Sequence, residues 1–203
     1  MKRYQSNLAF VVAILLSAST TFASDEYLDT ILKLFKEAPL KSLTKNKALE
    51  VYRITIYRSF YSPMMFTLSI DEGAGWLQVQ KARLEVEAEE VGLWPTKVIR
   101  NSRFKLNRGE VKSILSLLSA ADFWKLPSDD LRPGGLDGSE WRVEGVKRGR
   151  YHITVRSNPL ELPSEMGGYF PVLPPDRMHR EGCLTATCLF IWALANEADE
   201  PIY

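Results

Sequence analysis

The segment from Glu140 to Arg156 constrains the fold more than any other part of the chain. Trp141, Val143, Tyr151, Ile153 and Val155 alternate with Glu140, Arg142, Glu144, His152, Thr154 and Arg156. Two alternating runs joined by Lys147-Arg148-Gly149 are the mark of a half-buried β-hairpin. A two-residue turn at Arg148-Gly149 would set Glu144 opposite Ile153 and mix polar with apolar residues. A three-residue loop sets Val146 opposite Arg150 and keeps the two kinds apart, with Gly149 in the left-handed position of a bulged turn. The expected register therefore faces Glu144 to His152, Arg142 to Thr154 and Glu140 to Arg156. A wholly polar outer face calls for a sheet covered on one side only.

The other elements follow from periodicity. Asp25 to Ala38 places Leu28, Ile31, Leu32, Phe35 and Ala38 at helical spacing, with Ser24 or Asp25 to cap the helix and Pro39 to end it. Lys41 to Lys47 reads as a polar linker. Leu49 to Phe60, Met65 to Ile70, Trp76 to Glu87 and Lys97 to Leu106 read as strands. The first carries Tyr52, Ile54 and Ile56 on one parity and is broken by Pro63; the third is expected to kink near Lys81. Asp71 to Gly75 is a turn. Asn107 opens the clearest helix, which runs to Ala121, and Glu110 three residues on completes a capping box. Val111, Ile114, Leu115, Leu118 and Ala121 form its apolar stripe. Ser128 to Ser139 is a Gly/Pro/Asp loop, residues 157–180 form a long Pro-rich connection, and Leu184 to Ala195 is a helix apolar enough to be buried. The fold class is α+β: an antiparallel sheet with two to three helices packed on one face, in a single domain over residues 24–203.

Residues 1–23 stand apart from this domain. Lys2 and Arg3 precede Leu8 to Leu16, a run with no polar side chain, and the small residues Ser17 to Ala23 follow. That order is the make-up of a cleaved secretory signal peptide, with the cut expected after Ala23. The run is too short to span a bilayer core of ~30 Å, which needs ~20 apolar residues. The expected destination is the periplasm or the outside, with no stable membrane insertion after cleavage. The chain has 26 Lys and Arg against 25 Asp and Glu, and removing Lys2 and Arg3 leaves 24 against 25. So even a balance argues against nucleic acid as a partner.

An oxidising destination favours a disulfide between Cys183 and Cys188. In one continuous helix, residues five apart are separated by ~7.5 Å along the axis, more than a bridge usually spans. The expected disulfide therefore needs Cys183 ahead of the helix proper, which Gly182 allows. His179 lies near, but no second Cys or His pair accompanies it, so no metal site is expected.

The polar face of the hairpin is the candidate site. Glu144 facing His152 could orient the imidazole and form an acid–base pair. Opposite charges facing each other across strands are also the ordinary dress of a sheet face. The leading reading is therefore a soluble exported protein that binds or interacts without catalysing a reaction. Glu140, Arg142, Thr154 and Arg156, with the 157–180 loop, would offer the surface to an unknown protein or small-molecule ligand. The alternative is a hydrolase-type enzyme using Glu144 and His152, with Arg142 or Arg156 holding an anionic group. A third reading is a structural envelope component that self-associates. Asp129, Asp130 and Asp137 lack the spacing of a calcium loop and read as turn residues. Tyr57, Phe60, Tyr61, Trp76 and Trp94 are expected to pack in the core. No Gly-x-Ser-x-Gly elbow, phosphate-binding glycine loop or His-Glu-x-x-His occurs, and no cofactor is expected.

The run Gly135-Leu136-Asp137-Gly138-Ser139-Glu140-Trp141-Arg142-Val143-Glu144-Gly145, followed by Gly149-Arg150-Tyr151-His152 and Arg156-Ser157-Asn158-Pro159, resembles an uncharacterised family of bacterial exported proteins. Phe123-Trp124-Lys125-Leu126-Pro127 and a C-terminal helix complete the pattern, which covers about the second half of the domain. Similar sequences often place Trp after the Arg and before Ser-Pro; Ser157-Asn158-Pro159 departs from that. The resemblance implies that the hairpin is a family hallmark and implies no activity.

Overall fold

Strands β1 (Glu50–Arg58), β2 (Tyr61–Asp71), β3 (Ala74–Val86) and β4 (Leu93–Leu106) run as an antiparallel meander. The chain then crosses the sheet in helix α2 (Arg108–Ala120). It returns as β5 (Ser139–Lys147), which pairs with the free side of β1, and β6 (Arg150–Ser157) closes the order β4-β3-β2-β1-β5-β6. Helix α1 (Asp25–Phe35) precedes the sheet and α3 (Pro175–Leu194) follows it. The expected class, a single α+β domain on an antiparallel sheet, is the one observed. The structure is a computed structural model and describes residues 25–86, 93–128, 138–157, 159 and 174–197. The expected signal peptide, the helix cap at Ser24, Asp129, Asp130 and Asp137, and most of the 157–180 connection lie outside the described residues. Among those described, no helix is long and apolar enough to cross a membrane.

The burial of β1 explains how the molecule is layered. Every residue from Val51 to Arg58 is buried, so β1 has no solvent face. Tyr52, Ile54 and Ile56 point to one side. Their partners Leu68, Phe66 and Met64 on β2 and Val143 and Trp141 on β5 extend the same apolar surface. α2 lays Val111, Ile114 and Leu118 on it, and α3 adds Leu184, Cys188, Ile191 and Trp192. The other side has two smaller cores. α1 packs Leu28, Ile31, Leu32 and Phe35 against Tyr57, Met65 and Ala82. A 3-10 turn over Leu40–Lys45 sets Leu40 on Val51 and Val146. The two long helices share a face as expected, while α1 covers the opposite one. Leu43, inside the segment read as a polar linker, packs against the same cluster.

Local chemistry accounts for the element ends. The Asn107 side chain accepts from the Glu110 N–H at 3.0 Å, and the Glu110 carboxylate accepts from the Asn107 N–H at 2.7 Å, so the capping box is complete. The pairing of β3 with β4 slips between Lys81 and Ala82, where a kink was expected. Pro63 does not break the strand but lies inside β2. It falls where the β1–β2 ladder slips between Ile56 and Arg58, a place that asks no ladder N–H of it. Edge strand β4 exposes Lys97, Arg103 and Lys105, which deters pairing with another chain.

Two expectations fail here. The Cys183–Cys188 disulfide does not form, and both thiols are free. α3 begins at Pro175, so both cysteines lie in one continuous helix, the arrangement that cannot be bridged. Cys183 Sγ rests 3.7 Å from His179 Nε2, while Cys188 faces the core, where burial pushes its thiol up to about 12. Of the five aromatics assigned to the core, Tyr57 is buried, but Phe60, Tyr61 and Trp76 are exposed. Phe60 and Tyr61 sit at the β1–β2 turn.

Candidate functional site

Strands β5 and β6 meet in a two-residue turn. Lys147 pairs with Arg150, and Arg148 and Gly149 have φ of +52° and +77°, the left-handed pair of a type I′ hairpin turn. This register places Gly145, Val143 and Trp141 opposite His152, Thr154 and Arg156 on the face of the long helices. Glu144, Arg142 and Glu140 lie opposite Ile153, Val155 and Ser157 on the face of α1. Glu144 and His152 are therefore on opposite sides of the sheet, and the expected acid–base pair is not formed. Arg142 does not face Thr154, nor Glu140 Arg156. The expectation required one face to be in water. Both faces are covered, so the mixed arrangement is acceptable wherever each polar group finds a partner.

On the long-helix face the candidates serve as joints. The His152 ring meets Phe123 edge-on at 4.9 Å and lies 6.2 Å from Trp124. Burial holds its imidazole below the ordinary histidine range, and Arg150 and Arg156 push it further down. Gly145, across from His152, must lack a side chain, because a Cβ there would lie 2.7 Å from Phe123. Thr154 Oγ1 donates to the Pro127 carbonyl at 2.7 Å, and the Val155 N–H donates to the Ser128 carbonyl at 2.8 Å. Arg156 donates to both Glu181 oxygens, at 2.6 and 2.9 Å, and to the Pro127 carbonyl at 3.3 Å. His152, Thr154 and Arg156 thus bind β6 to the 123–128 segment and to α3.

The α1 face differs. Glu144 is buried and accepts from the Tyr151 hydroxyl at 2.7 Å. Its other oxygen is 3.7 Å from Arg142 Nε. Arg53, also buried, is held by Glu37 and the Ala38 carbonyl, each at 2.9 Å. Arg142, Glu140, Ile153 and Val155 form a half-buried patch beside this network. Thr55 and Tyr57 of β1 pair with Arg142 and Glu140. The hydroxyls of Thr55 and Tyr57, and Arg142 Nε, are buried with no hydrogen-bond partner among the described residues. Burial raises the Glu140 carboxyl to about 7, against the opposing pull of Arg142. Tyr27 of α1 stands 5.6 Å from both Tyr57 and Trp94, ring centre to ring centre. The sequence reading missed Thr55 and the Tyr57 hydroxyl. Only the β1–β5 pairing brings them to Arg142, and no local pattern specifies a pairing over so long a stretch of chain.

At the turn end of the hairpin, Trp124, Lys147, Arg148 and Arg150 line a concavity of about 280 Å3. Lys147 Nζ bonds Glu50 at 2.7 Å, and the Arg150 guanidinium lies 5.5 Å from the centre of the Trp124 ring.

Compared with known proteins, the chain matches no protein-family model and no curated relative.

Proposed function

We propose that the protein is exported and works by binding a small carboxylate-bearing ligand at the Arg142 face of the β5–β6 hairpin, without a reaction of its own. The observation that carries this reading is the pair of unpartnered buried hydroxyls, Thr55 and Tyr57, beside Arg142. Buried polar groups nearly always have partners, and each one left without costs about 1–3 kcal/mol. A ligand that accepts hydrogen bonds at this face would give such groups partners. Arg142 supplies the charge, Ile153 and Val155 an apolar floor, and Glu140 a carboxyl that exists in both protonation states near neutrality. The alternative reading, an enzyme working through Glu144 and His152, loses its premise when a sheet separates the two. Export rests on the composition of residues 1–23.

A panel of small carboxylates should be screened by heat unfolding on protein expressed from the full-length chain. At saturation a ligand is expected to raise the midpoint by several degrees, and the shift should vanish in Arg142→Gln and shrink in Tyr57→Phe. Tyr57→Phe should itself unfold no earlier than wild type, because it deletes an orphan hydroxyl. A panel without any shift, or a shift that survives Arg142→Gln, refutes the site. An N-terminus at Ser24 in the periplasmic fraction is the expected sign of export; an intact leader in the cytoplasm would refute it.

A further inference from the structure

The turn end of the hairpin has a chemistry that the Arg142 site does not use. Several arginines elsewhere are neutralised: Arg53 by Glu37, Arg100 by Glu197, Arg156 by Glu181 and Arg180 by Asp176. Arg148 and Arg150 have no carboxylate partner among the described residues, and Lys147 shares Glu50 with the Tyr52 hydroxyl. Lys47 reaches the same end, its stem 3.5 Å from where a Gly149 side chain would begin. Lys147, Arg148 and Arg150 thus line one concavity with Lys47 close to its turn, and Glu50, bonded to Lys147, is the one carboxylate paired with any of them among the described residues, in a chain whose formal net charge is only +1.

Cations gathered this way repel one another unless something anionic joins them. The fold nevertheless positions two of them. Arg148 occupies a left-handed turn position, and Arg150 lies over the Trp124 ring. A guanidinium fixed in advance loses less entropy on binding, and its edge presents paired N–H groups that match two oxygens of a tetrahedral anion. The indole excludes water from one side and so strengthens the attraction. The concavity falls just below the roughly 300–1,000 Å3 of drug-sized clefts, which suits a phosphate with a short ester arm.

We propose that the concavity formed by Trp124, Lys147, Arg148 and Arg150 binds a phosphate group, carried either by a soluble ester or by a lipid headgroup. It involves none of the Arg142-face residues, so the two sites can fail independently. The test is calorimetric titration of protein expressed from the full-length chain with inorganic phosphate and with glycerol phosphate at low salt. Alongside it, the protein is sedimented with phosphatidylglycerol vesicles and with phosphatidylcholine vesicles. Arg148→Asn installs Asn-Gly, the sequence this turn favours, so it keeps the fold while removing the charge. Arg150→Gln removes the second guanidinium. Arg103→Gln is the control of equal charge, since Arg103 lies 4.8 Å from the Trp76 ring at the far edge of the sheet.

Saturable binding is expected to weaken about tenfold in Arg148→Asn and in Arg150→Gln, the size of one charge-assisted hydrogen bond, and to stay unchanged in Arg103→Gln. Binding to phosphatidylglycerol vesicles alone, lost in the same two variants, assigns the phosphate to a headgroup. Absence of saturable binding to either kind of probe overturns the site, and so does equal weakening by Arg103→Gln.

Discussion

Arg156 on β6 holds Glu181 on α3 through two parallel N–H···O bonds, Nε to Oε2 at 2.6 Å and Nη2 to Oε1 at 2.9 Å. Arg156 is 2 % exposed, and it clamps an edge strand of the sheet to its C-terminal helix. Leaving a buried charge without its partner costs about 3–5 kcal/mol. Arg156→Ala should therefore lower the unfolding free energy by about 3 kcal/mol in urea titrations. Arg156→Lys should recover only part of this, because an ammonium cannot reproduce the fork. Replacing both partners by methionine should recover more than Arg156→Lys does, since the one charge that then loses a partner is Arg177, 19 % exposed and 3.7 Å from Glu181. A loss below about 1 kcal/mol in Arg156→Ala would make the fork a bystander.

Gly145 and Phe123 are in closer contact than any side chain would permit. A Cβ at residue 145 would meet Phe123 at 2.7 Å and Tyr52 at 3.1 Å, and both rings are buried. Gly145→Ala should destabilise by about 1–3 kcal/mol through overpacking, although its backbone is ordinary strand. Near-UV dichroism should change with it, because Phe123, Tyr52 and Trp124 pack as one aromatic group. An unaltered midpoint would mean that the 123–125 turn gives way easily.

Glu140 makes stability depend on pH in a direction opposite to most carboxylates. Its folded pKa is raised to about 7, from an ordinary 4.5, so the folded state binds the proton more tightly than the unfolded chain does. Its stabilising effect is complete below pH 4.5 and is lost as pH rises toward 7. Discounted for the solvent that reaches the group, the loss is about 1–2 kcal/mol. Urea midpoints from pH 4.5 to 7.5 should rise more steeply with pH in Glu140→Gln than in wild type. Parallel curves would rule out the raised pKa.

Glu72 and Gly73 form the β2–β3 turn with φ of +46° and +78°, the same geometry as Arg148-Gly149. Glutamate is poorly suited to a left-handed position, and asparagine is well suited to it. Glu72→Asn should stabilise the protein by about 0.5–1 kcal/mol, which is about 1–4 °C in a domain of this size. Thermal unfolding measures it directly, and an unchanged or lower midpoint would contradict the turn geometry.

Local signals were legible where the physics is local. Asn107 and Glu110 announce a helix start from four residues of sequence, and the structure closes that capping box with both bonds. The parity of Tyr52, Ile54 and Ile56 was equally readable. The hairpin register was not, because the argument for it assumed one solvated face. Val146, opposite Tyr151, is buried by Leu40, a residue about a hundred positions earlier, just ahead of the segment that reads as linker. Once Leu40 and α1 cover the second face, Glu144 can lie beside Ile153 and still bond Tyr151. The candidate residues were found, but their grouping was not. Register assigns His152, Thr154 and Arg156 to one surface and Glu140, Arg142 and Glu144 to the other, and a nonlocal cover sets the register.

The strand order carries a consequence for the time course of folding. β1 becomes an interior strand only when β5 arrives, and the pair Glu50–Lys147 closes a separation of 97 residues. The meander β1–β4 can form from neighbouring contacts, whereas the β1–β5 seam requires a long loop to close first, so it is the slow step. Until then β1 offers an open row of backbone donors and acceptors with apolar side chains on both surfaces. A chain emerging from its amino end passes through that state before Ser139 has been made. Kinetic vulnerability to self-pairing is therefore concentrated in Glu50–Arg58, the strand that the finished molecule protects most completely.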